Sequence, residues 1–486
     1  MPASTKPGTA RHRMSTVSYA FDANFDVDVP LLIVGAGAAG LCAALAAKEA
    51  GIAPLVIERD TVPGGSTALS AGLIPAAATR FQRAKGIVDS PQLFAADIAR
   101  KAKGEADAAV VDAVAHGAGV LVEWLADRYG LPFEVVDNFN YPGHSAMRMH
   151  GLPTRTGLEL INRLRQAAEA SDIAIIPERI ADRLLAEPDG RIRGVEIVRG
   201  DGGRERVGCA ALILACNGFG GNRDLVRRFI PEMSGALYFG HPGNRGDAVM
   251  WGEALGAKLS HLGAYQGHGS VATPHNILIT WAAIMQGGIQ VNRDGLRFCD
   301  ESQGYSEQAA EVLRQPGAFA WSVFDARIAA VARQFEDFRD AERAGAILTG
   351  RTVADLADAM RVPAATFASA WTEVESLKAK SGQDRYGRQF APEQLCAAPF
   401  HAVKVTGALF HTQGGLAIDG VGRVRRKDGT LLPNLFAAGG AAAGVSGSSA
   451  AGYLSGNGLL TATVLGRLAG QAAARMCLER TSSDLS

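Results

Sequence analysis

The residues best placed to do chemistry begin with a set of small ones. Gly35-x-Gly37-x-x-Gly40 follows an apolar stretch, residues 30–34, and opens an alanine- and leucine-rich segment, residues 38–50. Glycine at 35 permits a tight turn, and the missing side chain at Gly37 lets a diphosphate approach the backbone. Gly40 lets a helix lie close to a strand. Ala38 and Ala39 then form a first helical turn whose free N–H groups and dipole favour an anion. Residues 53–57 are again apolar and end in Glu58, followed by Arg59. A carboxylate at that strand end accepts the hydroxyls of an adenosine ribose. The spacing predicts a strand–helix–strand unit that binds a dinucleotide.

That unit is shared by NAD and FAD sites, and later segments favour FAD. Gly64, Gly65, Ser66, Thr67, Ser70, Ala71 and Gly72 are small or hydroxylated, suiting a loop laid along a pyrophosphate and a flavin ring. The strand at residues 211–215 ends in Ala215-Cys216-Asn217-Gly218, which suits a second crossing beneath the adenosine side. Asn244 and Asp247, then Gly439 and Gly440, extend the pattern. Ile180 and the start of the final helix, Ser455, Gly456, Asn457 and Leu459, complete the expected cofactor contacts.

The elements that must hold these residues are legible in composition and periodicity. The chain has 486 residues, 47% apolar and 20% charged, enough for two or three cored domains. Its 49 basic side chains equal its 49 acidic ones, which gives no electrostatic reason to expect nucleic acid or an anionic membrane. None of the six cysteines forms a C-x-x-C pair, so a metal or iron–sulfur site is not expected, and scattered thiols point to a reducing, cytoplasmic setting. Residues 1–28 are polar, without an apolar core or a twin-arginine pair, and read as a flexible tail. No run of about 20 apolar residues suggests a membrane span.

Periodicity predicts helices at residues 91–102, 106–129 and 158–168 and strands near 173–177 and 194–198. After Gly269 the character changes to helices at 306–313, 353–359 and 365–378 separated by polar loops. From Asn434 the first pattern returns, with a strand at 435–438 and a helix at 458–477.

With these motifs in order, residues 29–474 resemble the fumarate reductase/succinate dehydrogenase flavoprotein superfamily, which includes the 3-ketosteroid dehydrogenases. Leu214-Ala215-Cys216-Asn217-Gly218-Phe219 is similar to its L-A-T-G-G-F, and Asn244-Arg245-Gly246-Asp247-Ala248 to its N-x-G-D-G. Val291-Asn292-Arg293-Asp294-Gly295-Leu296-Arg297-Phe298 is similar to V-N-x-x-G-x-R-F, and His411-Thr412-Gln413-Gly414-Gly415 to H-T-x-G-G. The resemblance implies an α/β fold: a Rossmann-like FAD-binding domain of the glutathione-reductase type, residues 29–264 and 411–486. An inserted α+β capping domain, residues 265–410, would hold the substrate. It implies non-covalent FAD, because no histidine lies between Gly64 and Gly72, and a flavin contact for His411.

Departures from the resemblance bear on the substrate. Dicarboxylate enzymes of the superfamily carry a proton-donating arginine about eight residues before the Asn of V-N-x-x-G. Here that position is near Ile284, and residues 281–291 hold no arginine. Where those enzymes have N-R-L-G-G-N, this chain has Gly452-Tyr453-Leu454-Ser455-Gly456-Asn457. Ketosteroid dehydrogenases place a tyrosine at Tyr453, which with a backbone N–H, here that of Asn457, binds a ketone oxygen. Tyr305 stands at their general-base spacing, where a tyrosinate removes an α-proton as hydride leaves for flavin N5.

The expected activity is therefore desaturation of a cyclic ketone, a 3-ketosteroid or a cyclohexanone, with an external electron acceptor. The alternative is reduction of an activated alkene, and a third reading is a flavin-bound sensor or assembly subunit. Tyr141, Tyr265 and His268 are further pocket candidates; Arg148 and His150 read as a solvated loop, and Trp124 and Trp281 as core.

Overall fold

The computed structural model describes residues 16–19, 23–137 and 140–484. Its first sheet is built on parallel strands in the order Arg204–Leu214, Val27–Val34, Pro54–Ile57, Ala174–Ile176, with Leu431–Ala437 on the other flank of Arg204–Leu214. These strands are apolar on both faces because helices cover both, and Leu31, Leu32 and Ile33 are completely buried. An antiparallel meander, Arg179–Ala186 and Ile192–Arg199, joins the start of Arg204–Leu214. Thr16–Tyr19, expected within a flexible tail, instead pairs in parallel with Arg179–Ala186 at the sheet edge. The rest of the expected tail up to residue 22 lies outside the described residues.

The first helix, Ala38–Glu49, is buried on every side from Ala38 to Ala47, which is why its sequence is alanine-rich rather than amphipathic. It packs on the C-terminal helix, Asn457–Asp484. A Cβ at Gly466 would lie 2.3 Å from the Ala39 carbonyl oxygen, and one at Gly470 2.2 Å from that of Ala43. Two glycines one turn apart thus set how closely the helices cross. The helix Ala108–Tyr129 is the one described helix long and apolar enough to cross a membrane, and half of its apolar window is buried inside the fold. Its Gly117 sits against Val464 of the C-terminal helix.

A second sheet runs Ile277–Leu278, Tyr265–Ala272, Phe400–Thr412, Ala320–Asp325, Ile289–Val291, with Leu237–Tyr238 and Ile347–Gly350 also paired to Phe400–Thr412. The long strand Phe400–Thr412 places His411 opposite Gln266 at one end of this sheet. The helix Tyr305–Leu313 lies on the same sheet. Gly407 and Gly267 make that approach possible, since Cβ atoms there would meet the Ala309 carbonyl oxygen at 2.2 Å and the Ala309 Cβ at 2.7 Å. Tyr305 is thereby delivered, at the helix start, to the seam between the two sheets.

Candidate active site

One cavity of about 360 Å3 runs along this seam. At its first end, Glu58 accepts the Ala36 N–H at 2.8 Å through Oε2 and the Asp60 N–H at 3.1 Å through Oε1. The charged lining residues, Glu58, Arg59, Asp60, Arg179 and Asp247, all gather here. Arg59 pairs with Asp247, and Arg179 with Glu205 at 2.7 Å. Ile180 and Cys216 line the same end, and burial pushes the Cys216 thiol up to about 12, so it stays protonated.

The middle of the cavity is backbone and small side chains. Gly35 adopts φ of +107°, and a Cβ there would lie 2.5 Å from the Ala215 carbonyl oxygen; at Gly40 it would overlap the Gly35 carbonyl oxygen at 1.8 Å. Gly37 differs. A Cβ there would meet only the Thr67 hydroxyl, at 3.6 Å, so its side-chain space opens on the cavity. The first helix has no side-chain cap at Gly37, and the Thr67 hydroxyl takes the Ala38 N–H at 3.0 Å. Ser66 Oγ accepts from Asn217 and Asn244, both at 2.9 Å.

Of the expected cofactor residues, Ala39, Gly65, Ser70, Ala71, Gly439, Gly440, Ser455, Gly456 and Leu459 also line the cavity. Gly40, Gly64, Gly72, Gly218 and Asn457 do not. Gly72 and Gly218 serve packing, against the Thr156 carbonyl and the Thr412 hydroxyl. An extended cleft with a carboxylate at one end, a helix N-terminus at a side-chain-free glycine, and aromatic groups beyond fits a dinucleotide carrying a ring.

The far end is aromatic and uncharged. Tyr141, Tyr305 and Tyr453 line it with Leu278, Gln266, Phe410 and His411. Tyr305 and Tyr453 lie edge to face with centroids 6.2 Å apart. The Tyr305 hydroxyl meets Ser455 Oγ at 3.0 Å, and its ring stacks on His268 at 4.9 Å and 16°. Burial pushes the Tyr305 phenol well above the ordinary tyrosine range, and the Ser455 hydrogen bond only partly opposes this. Tyr453 is raised by the same cause, with the Gly456 and Gly458 N–H groups pulling weakly the other way. Among the described residues that line this end there is no lysine or arginine.

The Asn457 N–H, expected to bind a substrate oxygen, donates instead to the Leu454 carbonyl at 3.0 Å. Gly458, which does line the cavity, has its N–H beside the Tyr453 hydroxyl.

His411 is held as a neutral ring. Gln413 Nε2, which can only donate, lies 3.0 Å from His411 Nδ1; Gln413 Oε1 accepts from Ser446, and Ser446 from Asn457 Nδ2. His411 Nδ1 also lies 3.4 Å from the Thr412 carbonyl oxygen. Burial lowers the imidazole to about 4. Gln413 was the unassigned position of the H-T-x-G-G match, and its amide beside the histidine is the signal that could have identified it.

Other expected positions fall elsewhere. Ile284 is buried and does not line the cavity, so the missing arginine there says nothing about the pocket; its carbonyl is held by Arg388 at 3.0 Å. Arg148 and His150, expected on a solvated loop, are 1% and 0% exposed. Tyr265 is core, and His268 and Trp281 form a second layer behind Tyr305. Trp124 is core, its N–H on Glu49 at 2.9 Å.

The fold and cleft define a flavoprotein of the dinucleotide-binding type, an FAD-dependent oxidoreductase with two layered sheets. The chain belongs to the FAD binding domain family, whose profile matches residues 30–459. It is 29% identical over 454 residues to a probable fumarate reductase, Ifc3, of Shewanella frigidimarina, covering 93% of this chain and 75% of that one. The open conformation of a flavocytochrome c3 fumarate reductase superposes with a TM-score of 0.80 at 28% identity, over 93% of this chain and 79% of that one. The 3-ketosteroid-Δ4-(5α)-dehydrogenase of Rhodococcus jostii RHA1 superposes with a TM-score of 0.76 at 23% identity, over 95% of this chain and all of that one, a likeness of fold.

Proposed function

We propose that this protein reduces the carbon–carbon double bond of a neutral, carbonyl-activated alkene. The observation that carries the reading is a pocket end with two buried phenols and, among the described lining residues, no cation. A protonated phenol in the cavity lining is placed to give a proton to a bound alkene, which suits reduction. The hydride this chemistry requires is what FAD, reduced by an external donor, supplies when bound. The Tyr453 hydroxyl and the Gly458 N–H receive the substrate carbonyl oxygen and stabilise the charge that grows on it. Tyr305 gives its hydroxyl proton to the α-carbon as hydride arrives at the β-carbon, so two electrons and two hydrogens are added; the phenolate left behind is hydrogen-bonded by the Ser455 hydroxyl and takes a proton from water before the next turnover. Neutral His411 lines the same end without introducing charge.

Relatives named fumarate reductases act on a C4 dicarboxylate. In this pocket its carboxylates would lose their hydration without a paired cation, at a cost of at least several kcal/mol. That corresponds to discrimination of about 100-fold or more. The test is anaerobic photoreduction of the bound flavin, followed by mixing with 2-cyclohexenone, a 3-keto-4-ene steroid, urocanate or fumarate. An enone should restore oxidised flavin at least 100-fold faster than fumarate. Faster oxidation by fumarate would overturn the reading.

A further inference from the structure

A buried polar chain outside the cavity reaches the backbone between Tyr453 and the final helix. His144 Nε2 lies 2.9 Å from the Ser455 carbonyl oxygen, which can only accept, so Nε2–H donates. Arg148 Nη1 can only donate and lies 3.3 Å from His144 Nδ1, so that nitrogen accepts. The two bonds fix one tautomer. Burial lowers His144 to about 4, in keeping with a neutral ring.

Arg148 is in turn closed off by two carboxylates. Its Nη1 meets Asp97 at 2.5 Å, and its Nε and Nη2 meet Asp89 at 3.0 and 2.9 Å. The side chains of Arg148, Asp89 and Asp97 have no solvent exposure. Asp97 also takes the N–H and hydroxyl of Ser145, at 2.8 and 2.5 Å, so it fastens the 141–148 loop to the helix Pro91–Lys101. Gly143 of that loop presses on Leu454, to which a Cβ would come within 2.7 Å. The 141–148 loop is thus tied on one side to a helix and on the other to Leu454 and Ser455.

We infer that His144 is a positioning residue: by holding the Ser455 carbonyl it sets the Ser455 hydroxyl against Tyr305 and the Tyr453 ring beside it. The inference rests on the proposed reading only for why the two tyrosines must be held. A buried charge network is costly to keep, and a simple packing contact would need no histidine. This one spends a fully neutralised arginine on orienting a single imidazole whose other nitrogen faces the tyrosine loop.

The experiment compares FAD-loaded wild type with His144→Phe, His144→Gln and Ser455→Ala. Hydrogen exchange of the 453–458 amides, read by mass spectrometry, is independent of activity. Exchange there should quicken at least 10-fold in His144→Phe and stay within threefold of wild type in His144→Gln, whose amide can donate to the same carbonyl. Enone turnover should follow, with kcat at least 10-fold lower in His144→Phe, KM within threefold, and recovery in His144→Gln. Because His144 acts through Ser455, the His144→Phe/Ser455→Ala double variant should lose little more than the worse single variant. If His144→Phe does not fold, His144→Asn keeps a polar partner for Arg148 but is too short to reach Ser455, and carries the same comparison. Unchanged exchange at 453–458 in the folded Phe or Asn variant overturns the inference, as do multiplicative losses in the double variant. A wild type inert towards every enone would refute the proposed activity, while the exchange comparison would still decide the role of His144.

Discussion

Replacing Tyr305 by phenylalanine removes one oxygen and isolates the proton-donating role. The ring should stay where it is, because its stacking on His268 at 4.9 Å does not involve the hydroxyl. The lost hydroxyl has Ser455 Oγ as its hydrogen-bond partner, at 3.0 Å. A neutral hydrogen bond contributes about 1 kcal/mol net, and Ser455 lines the cavity, where water can replace the phenol. The stability change should therefore stay under about 1 kcal/mol and the melting shift under about 2 °C. Loss of a positioned general acid costs about 10²- to 10⁴-fold in rate, or roughly 3–5 kcal/mol of barrier. The assay is stopped-flow oxidation of the photoreduced enzyme by 2-cyclohexenone, with FAD content measured in parallel. Burial holds the Tyr305 phenol above the ordinary range near 10, so the wild-type rate should also stay level from neutral pH to about 10. Full FAD content with a rate within threefold of wild type in Tyr305→Phe would refute the argument, as would a wild-type rate that falls through neutral pH.

Gly37→Val should fold, since a Cβ there meets only the Thr67 hydroxyl at 3.6 Å, yet fill the space where a pyrophosphate would lie. Purified variant should retain less than about a tenth of the wild-type FAD at matched melting behaviour in the apo state, and normal flavin retention would contradict the assigned path of the cofactor. Acid should destabilise the protein in a defined window, because burial lowers His144, His150 and His411 to about 4 and His268 to about 3. Their folded-state values lie below the unfolded one near 6.5, so this stabilisation is complete above about pH 6.5 and is lost as pH falls towards 4. Each histidine contributes on the order of a few kcal/mol, and equal denaturant midpoints at pH 7 and pH 5 would refute the effect.

The cofactor half of the site was legible because it is specified by backbone. Only glycine fits at 35 and 40, where carbonyl oxygens of Ala215 and Gly35 stand within 2.5 Å of any Cβ, and such demands leave a local motif. The substrate half is assembled from loops, and spacing alone cannot say which side chain faces the cavity. Ile284 illustrates this: counting back from Asn292 crosses a turn at Gly287 and Gly288, and the residue reached points into the core. Arg148 and His150 were misplaced for a related reason. Their segment is polar and reads as surface, but the carboxylates that neutralise Arg148 lie on segments 59 and 51 residues away. Tyr305 and Tyr453 were found by resemblance, whereas the burial that raises both phenols comes from packing no motif records.

Charge is distributed in a way that constrains what the cavity can accept. The buried ion networks, Arg148 with Asp89 and Asp97 (which also pairs with Arg100), and Arg297 and Arg388 with Glu301 and Asp384, contribute no residue to the lining. Glu301 is fully buried, and its two guanidinium partners bring it down to about 2 against that burial, so its charge is spent inside the protein. The cavity's own charges cluster around Glu58, where an adenosine ribose would be met, and not around the tyrosines. At the tyrosine end the available groups are phenols, a neutral imidazole, amides and backbone N–H. Such a set can stabilise negative charge only as it develops on a bound carbonyl oxygen, through hydrogen bonds that strengthen as the charge grows. A substrate already anionic would bring its full charge at once, with no compensation for its lost hydration. On the proposed function, the same groups would favour the transition state of a neutral carbonyl compound over the ground state of a carboxylate.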